Sequence, residues 1–242
     1  MSKVKSYAAF QADKPLHPHD INRRDINPDD VNIDILYCGV CHSDIHMARN
    51  EWNNTSIYPM VPGHEIIGIV KEVGSSVTKF KVGDNVGVGV YVDACEKCDN
   101  CNSGKDHYCE EGIVLTYNSY EYGTRNITYG GYSKRIVVKE NYVIKVPSEM
   151  DMKKAAPLLC AGITTYSPLR HFKINSNHKV GIAGLGGLGH MGLKFASSFG
   201  ADVVVFSTSD SKKDEAFEMG ANHFVNVNNS KDVRKHMNSC DY

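Results

Sequence analysis

The chain has 242 residues, a formal net charge of -1, 41% hydrophobic and 23% charged residues. That length allows one or two domains with enough apolar material for a core. The near-neutral balance gives no electrostatic reason to expect nucleic acid or an anionic membrane as partner. No stretch approaches the roughly 20 apolar residues of a membrane span, and residues 1–20 are polar with no apolar signal core. The expectation is a cytoplasmic globular protein.

Residues 1–150 read as strands and turns. Val31–Tyr37 alternates as a strand, and Ile66–Val73 is another, ended by Gly74. Val82–Val90 carries Gly83, Gly87 and Gly89, as a sharply bent barrel strand would. Tyr132–Val138 and Tyr142–Val146 read as a pair around the turn Lys139-Glu140-Asn141. Many short strands punctuated by Gly and Pro predict a partly open β-barrel.

The pattern changes after Pro147. Met152–Phe172 is helix-like, and Pro157 and Pro168 are expected to interrupt it or to start new turns. From there strands and helices alternate: strand Val180–Ala183, helix Leu188–Phe199 closed by Gly200, strand Val203–Phe206, helix Lys212–Met219 closed by Gly220, and strand His223–Val227. That order is half of a doubly wound nucleotide-binding domain.

Eight cysteines need an explanation. Without a secretory signal, disulfides are not expected. Cys95-x2-Cys98-x2-Cys101-x7-Cys109 brings four thiols into one short segment. Four thiolates suit tetrahedral zinc and leave no position for a substrate, so this lobe reads as a structural metal site. Four unrelated buried cysteines would be the bland alternative. A nucleic-acid-binding zinc ribbon is a second, opposed by the scarcity of basic residues in the lobe, Lys97 and Lys105. A second constellation is dispersed. Cys41-His42-Ser43-Asp44-Ile45-His46, Gly63-His64-Glu65 and Cys160 are each weak alone. Together they offer two cysteines, a histidine and an adjacent carboxylate, the donor set of a catalytic zinc with an exchangeable position. Cys38 and Cys240 receive no role.

Gly184-x-Gly186-x-x-Gly189 follows a predicted strand and opens a predicted helix, the context a dinucleotide fingerprint requires. Backbone at Gly184, Leu185, Gly186, Gly187, Leu188 and Gly189 would approach a pyrophosphate at the positive end of the helix. An NAD enzyme places an acid roughly 20 residues further on. Here the sequence reads Ser207-Thr208-Ser209 followed by Lys212 and Lys213, which suits the 2′-phosphate of NADP(H); Asp210 alone points the other way.

Gly39–Asp44 (Gly-Val-Cys-His-Ser-Asp), Pro62–Glu65, the four-cysteine lobe, Pro157–Gly162 and Gly184–Gly192, in that order, resemble the medium-chain zinc alcohol dehydrogenases. More narrowly they resemble the cinnamyl alcohol dehydrogenase branch and its bacterial-type NADP-dependent aldehyde reductases. The resemblance runs end to end. It implies a GroES-like catalytic domain over residues 1–150, with the zinc lobe at about 93–110, and the first part of an NADP-binding Rossmann domain over 151–242. It implies two zinc ions. Cys41, His64 and Cys160 would hold the catalytic one, with Glu65 as an occasional fourth ligand and Asp44 orienting His64. Ser43 would hydrogen-bond the substrate oxygen, and His46 would pass a proton toward solvent through the cofactor ribose. His42 would lie near the pyrophosphate and Thr164 would contact the cofactor. Ser207, Ser209 and Lys212 match the positions that receive the 2′-phosphate.

The implied activity is hydride transfer between NADP(H) and a primary alcohol or aldehyde. The alternatives are a non-catalytic zinc-binding remnant and the zinc-free quinone reductase branch, which lacks the metal ligands. Relatives continue for roughly a hundred residues beyond the match, so the chain is expected to stop where a fourth strand of the nucleotide fold begins. The full-length relatives are expected to be homodimers. Ile113-Val114-Leu115 stands where plant cinnamyl enzymes carry a tryptophan, which favours a broad aldehyde range.

Overall fold

The computed structural model describes residues 2–242. The chain divides into two compact units, the first ending at Cys160 and the second running over Ala161–Tyr242.

The first unit contains strands β1 (Ser2–Ala8), β2 (His17–Arg23) and β3 (Asp30–Cys38), helix α1 (His42–Ala48), and strands β4 (Ile66–Val73), β5 (Asn85–Val88) and β6 (Tyr91–Asp93). It continues with helix α2 (Asp99–Asn102), strands β7 (Val114–Leu115), β8 (Arg135–Lys139) and β9 (Val143–Lys145), and helix α3 (Met152–Ala155). Five strands form one sheet in the order β8-β3-β4-β5-β9. Residues 82–90 are not one continuous strand: Lys81–Asp84 makes a turn in which Asp84 N–H bonds the Lys81 carbonyl, and the strand itself covers only Asn85–Val88.

Strands β8 and β9 do not pair with each other, contrary to the hairpin expected around Lys139-Glu140-Asn141. They are the two opposite edges of the sheet, with β3, β4 and β5 between them. Four inter-strand gaps in a flat sheet would separate the edges by about 19 Å. The link from Lys139 to Val143 spans at most about 14 Å. The sheet must therefore curl toward closure, which makes it a partly open barrel. The inside is filled by alternate residues of each strand: Val31, Ile33, Ile66, Val70, Val86, Val88, Ile136, Val138 and Val143 form one cluster.

The β1–β2 hairpin has no counterpart among the sequence-based expectations. Its inward positions include Ser6, Ala8 and Arg23, which do not read as an apolar stripe. Arg23 is buried. Its guanidinium donates to the carbonyls of Arg135 (2.9 Å), Tyr129 (2.7 Å) and Gly130 (3.1 Å) and to Ser133 Oγ (2.9 Å). Those bonds pin the hairpin to the segment that carries Tyr132. Residues 151–160 pack with the first unit through Met152, Ala155, Ala156 and Leu159 against Ile67 and Val146. That packing is why the contact boundary falls after Cys160. Pro157 starts a 3-10 turn over Ala156–Leu159.

The second unit opens with helix α4 (Ala161–His171), which continues through Pro168. It is followed by β10 (Lys179–Ala183), α5 (Gly187–Ser198), β11 (Asp202–Ser207), α6 (Lys213–Glu218), β12 (His223–Asn226) and α7 (Ser230–His236). Strands β10, β11 and β12 are parallel and lie in that order. Val203, Val204 and Val205 of the central strand are all fully buried, as expected of a strand covered on both faces. On the β10 edge, Gly181 N–H bonds the Tyr242 carbonyl at 2.9 Å and Asp241 N–H bonds the Lys179 carbonyl at 2.8 Å. Among the described residues no helix is long and apolar enough to cross a membrane.

Arg23→Ala would remove the guanidinium donor from the carbonyls of Tyr129, Gly130 and Arg135, with the Ser133 hydroxyl able to serve only one of the last two at a time. It is expected to lower the unfolding free energy by about 3 kcal/mol, measured by urea denaturation followed by circular dichroism; an unchanged midpoint would mean that water satisfies those carbonyls.

Candidate functional site

Helix α1 begins at Cys41, whose extended backbone makes it the N-cap. Asp44, three residues on, folds back so that its Oδ2 accepts the Cys41 N–H at 3.0 Å, the reciprocal half of a capping box. Met47, one turn further, packs with Met60 and Tyr117 and seats the helix against the barrel. Ser43 and His46 are three residues apart and therefore share a face of α1.

The Asp44 carboxylate is almost fully buried and takes three more donors. Gly63 N–H and His64 Nδ1 reach Oδ1, each at 3.0 Å, and the Tyr132 hydroxyl reaches Oδ2 at 3.2 Å. Burial alone would raise this carboxyl, but the bonds from His64, Cys41 and Gly63 hold it below the ordinary value. With Nδ1 committed to Asp44, His64 has Nε2 left for a metal. In the metal-free protein burial disfavours the imidazolium, yet Asp44 and the neighbouring Cys160 more than offset it and push His64 up to about 11. Loading a metal therefore displaces a proton from this ring. The Tyr117 ring lies 5.8 Å from that of His64, and burial keeps the Tyr117 and Tyr132 phenols protonated.

Cys160 stands between the 3-10 turn and α4, with its N–H directed to the Pro157 carbonyl at 3.4 Å. Its Sγ lies 3.9 Å from Cys41 Sγ. Glu65 is buried beside Gly39, where any Cβ would collide with its carboxylate. One ligand atom from each of Cys41, His64, Glu65 and Cys160 lies within 4.8 Å of all the others. Two thiolates at about 2.3 Å on a tetrahedral zinc stand roughly 3.8 Å apart, so the sulfurs fit that ion and are too distant for a disulfide. Burial opposes ionisation of Cys41, but Ser43, whose Oγ lies 3.5 Å from the sulfur, and His64 bring its thiol below the ordinary value.

The second metal group is the lobe. Cys95, Cys98, Cys101 and Cys109 also place their sulfurs within 4.8 Å of one another, with Cys95 and Cys101 at 3.8 Å. These two groups are the metal-capable clusters found among the described residues. Backbone N–H groups already point at the lobe sulfurs: Cys95 N to Cys109 Sγ at 3.4 Å and Cys98 N to Cys95 Sγ at 3.3 Å. The first of these lowers Cys109 to about 6, despite opposing desolvation, with help from the Tyr122 hydroxyl. The lobe's short helices α2 and Asp106–Tyr108 bury no residue, so four sulfurs around a metal must replace a core. Lys139 at the end of β8 ties the lobe to the barrel through Asp93 (2.7 Å) and Glu96 (2.9 Å).

His42 and His46 are adjacent on α1, with ring centroids 4.7 Å apart. Trp52 stacks on His46 with ring centroids 5.3 Å apart, and the Glu51 carboxylate faces His46 Nδ1. Glu51, Trp52, Tyr132, Tyr117 and Lys139 were not singled out as site residues from the sequence. Only the closeness of Glu51 and Trp52 to His46 in the chain could have hinted at any of them.

In the second unit, Gly184 to Gly189 lead from β10 into α5, with Gly186 as the N-cap. A Cβ on Gly189 would strike the Gly184 carbonyl, so the helix can meet the strand this closely only with glycine there. Ser207 ends β11, Thr208 and Ser209 follow it, and Lys212 Nζ reaches across to the Leu185 carbonyl at 2.7 Å. The structure thus brings the glycine loop and the hydroxyl loop together. Thr164 lies on α4.

Residues 27–148 match the family described as alcohol dehydrogenase GroES-like domain, and residues 187–240 match the zinc-binding dehydrogenases. The aldehyde reductase YahK of Escherichia coli (strain K12) is 49% identical over 241 residues, covering 99% of this chain and 68% of that protein. A cinnamyl alcohol dehydrogenase of Sorghum bicolor is similar in structure with a TM-score of 0.93 at 42% identity, over 97% of this chain and 67% of that one. A Helicobacter pylori CAD complexed with NADP(H) has a TM-score of 0.88 at 49% identity, over 93% of this chain and 64% of that one. The chain spans about two thirds of the length of these relatives.

Asp44→Asn would set an amide among four donors. It is expected to weaken zinc binding at the Cys41–His64–Cys160 site by about tenfold to a hundredfold and to leave the lobe's ion in place. Competition with a graded chelator measures this, and equal loss from both sites would contradict the assignment.

Proposed function

This chain belongs to the zinc-binding alcohol dehydrogenases that carry a GroES-like domain, and we propose that it transfers hydride between NADP(H) and a primary alcohol or aldehyde, chiefly as an aldehyde reductase of broad range. The observation that carries this reading is the donor set of Cys41, His64, Glu65 and Cys160 with the Ser43 hydroxyl beside it. Cys41, Cys160 and His64 would hold zinc, with Glu65 as a fourth donor that substrate could replace, and the ion would supply Lewis-acid chemistry to a carbonyl oxygen. The hydroxyl and lysine loop at Ser207–Lys212, without an acid at the end of β11, supports NADP(H) as the dinucleotide. On this reading the first unit is the catalytic domain and the second is the dinucleotide-binding part.

When bound, zinc polarises the carbonyl oxygen and the reduced dinucleotide supplies the hydride. The chain's own residues do the rest. Asp44 fixes the His64 tautomer and, through the Cys41 N–H, the start of α1, so that two ligands keep their places without substrate. Ser43 presents a hydroxyl to the substrate oxygen and holds the proton that this oxygen must gain on reduction. His46 is the next ionisable side chain on that face of α1, with the rings of His42 and Trp52 both against its own. The Glu51 carboxylate accepts from Nδ1, which leaves Nε2 as the ring nitrogen able to receive a proton. The lobe cysteines, a closed set of four sulfurs, would hold a structural zinc with no position left for substrate.

With both sites loaded with zinc, the protein is expected to consume NADPH in the presence of a simple aromatic aldehyde and to leave NADH largely unused. Ser43→Ala should lower turnover about a hundredfold while both zinc ions remain bound. Wild-type turnover in that variant would remove Ser43 from the proton path.

A further inference from the structure

Asp210 is the residue that a phosphate-binding loop tolerates least. It lies between Ser209 and Lys212, the residues assigned above to the 2′-phosphate. A carboxylate free to turn toward them would repel the phosphate and compete for the lysine. In the structure it is anchored on the opposite strand: Asn226 Nδ2 donates to Asp210 Oδ2 at 2.8 Å. Asn226 ends β12, and its backbone stands opposite Ser207 of β11.

The amide cannot turn around freely. Asn226 Oδ1 accepts the Asn228 N–H at 3.0 Å, which leaves Nδ2 facing the carboxylate. The same turn holds the loop at two further points. Val227 N–H bonds the Ser207 carbonyl at 2.8 Å, and Asn228 Nδ2 bonds the Thr208 carbonyl at 2.8 Å. Lys212 meanwhile reaches to the Leu185 carbonyl, on the side of the glycine loop. Lys212 is thus directed to the glycine loop, while the one acid of its loop is tied to β12.

We propose that Asn226, supported by Asn228, is a positioning residue for dinucleotide specificity: it holds the Asp210 carboxylate toward β12 and so keeps the Ser207–Lys212 loop receptive to a 2′-phosphate. The inference rests on the NADP(H) reading above. It explains how a loop containing an aspartate can still prefer the phosphorylated cofactor.

The test is direct binding, by fluorescence titration of NADPH and NADH into the wild type, Asn226→Ala, Asp210→Asn and the double variant. Asn226→Ala is expected to weaken NADPH about tenfold and to change NADH little. Adding Asp210→Asn should restore NADPH affinity. Asp210→Asn alone, which keeps an amide partner for Asn226, should bind NADPH as well as the wild type or better. Equal weakening toward both dinucleotides without rescue would make Asn226 merely structural and overturn the proposal. Unchanged NADPH binding in Asn226→Ala, or weaker binding in Asp210→Asn alone, overturns it too. A wild type that binds NADPH and NADH equally overturns the cofactor reading itself, and the proposal with it.

Discussion

The buried carboxylate of Asp44 gathers donors from three separate stretches of chain: the start of α1 at Cys41, the Gly63-His64 turn before β4, and Tyr132 before β8. An ionised carboxylate is acceptor-only, with room for about four donors, and here four are supplied. Leaving it short of them inside the protein would be costly. The arrangement is therefore mutually enforcing. The carboxylate is tolerable because the loops converge on it, and the loops converge because it needs them. Cys41 and His64 inherit their positions from that convergence before any metal arrives.

Around this centre the first unit solves two packing problems in different ways. The barrel curls because Lys139 and Val143 are too close in the chain for a flat sheet, and its apolar interior then closes over Val31, Ile66, Val86 and Ile136. The lobe has no such interior. It depends on four sulfurs, on N–H donors that favour their charge, and on the Lys139 tether to Asp93 and Glu96. One group of cysteines is closed and structural in character. The other combines two thiols with an imidazole and a carboxylate and has the Ser43 hydroxyl beside it. On the proposed function, that contrast in donor sets separates scaffold from chemistry.

Whatever depended on local spacing was legible in the sequence. The four lobe cysteines lie within one short segment, and the Gly184–Gly189 turn sits between a recognisable strand and helix. The clustering of Cys41, His64, Glu65 and Cys160 became legible only through the family resemblance, because Cys160 is distant in the chain. The β1–β2 hairpin was missed because its inward positions include Ser6, Ala8 and Arg23, and burial of Arg23 depends on carbonyls far along the sequence. Strands β8 and β9 look like a hairpin because only three residues separate them; the pairing preference of β3 and β5 sends them to opposite edges. Tyr132, Glu51 and Asn226 act through side-chain contacts that register and turn geometry create, and no periodicity signals those. Asp210 shows the same limit from the other side: its identity argues against NADP(H), while its partner is visible only in the fold.

The central claim is that one chain carries two chemically distinct zinc sites and that only the Cys41–His64–Cys160 site meets substrate. Replacing zinc by cobalt(II) and recording the visible d–d bands tests it most directly, since a four-sulfur ion and a two-sulfur, one-nitrogen ion absorb differently. The account predicts two resolvable sets of bands, of which the mixed-donor set alone shifts when an aldehyde or alcohol is added. A single set, or a substrate response from the four-sulfur set, would contradict it.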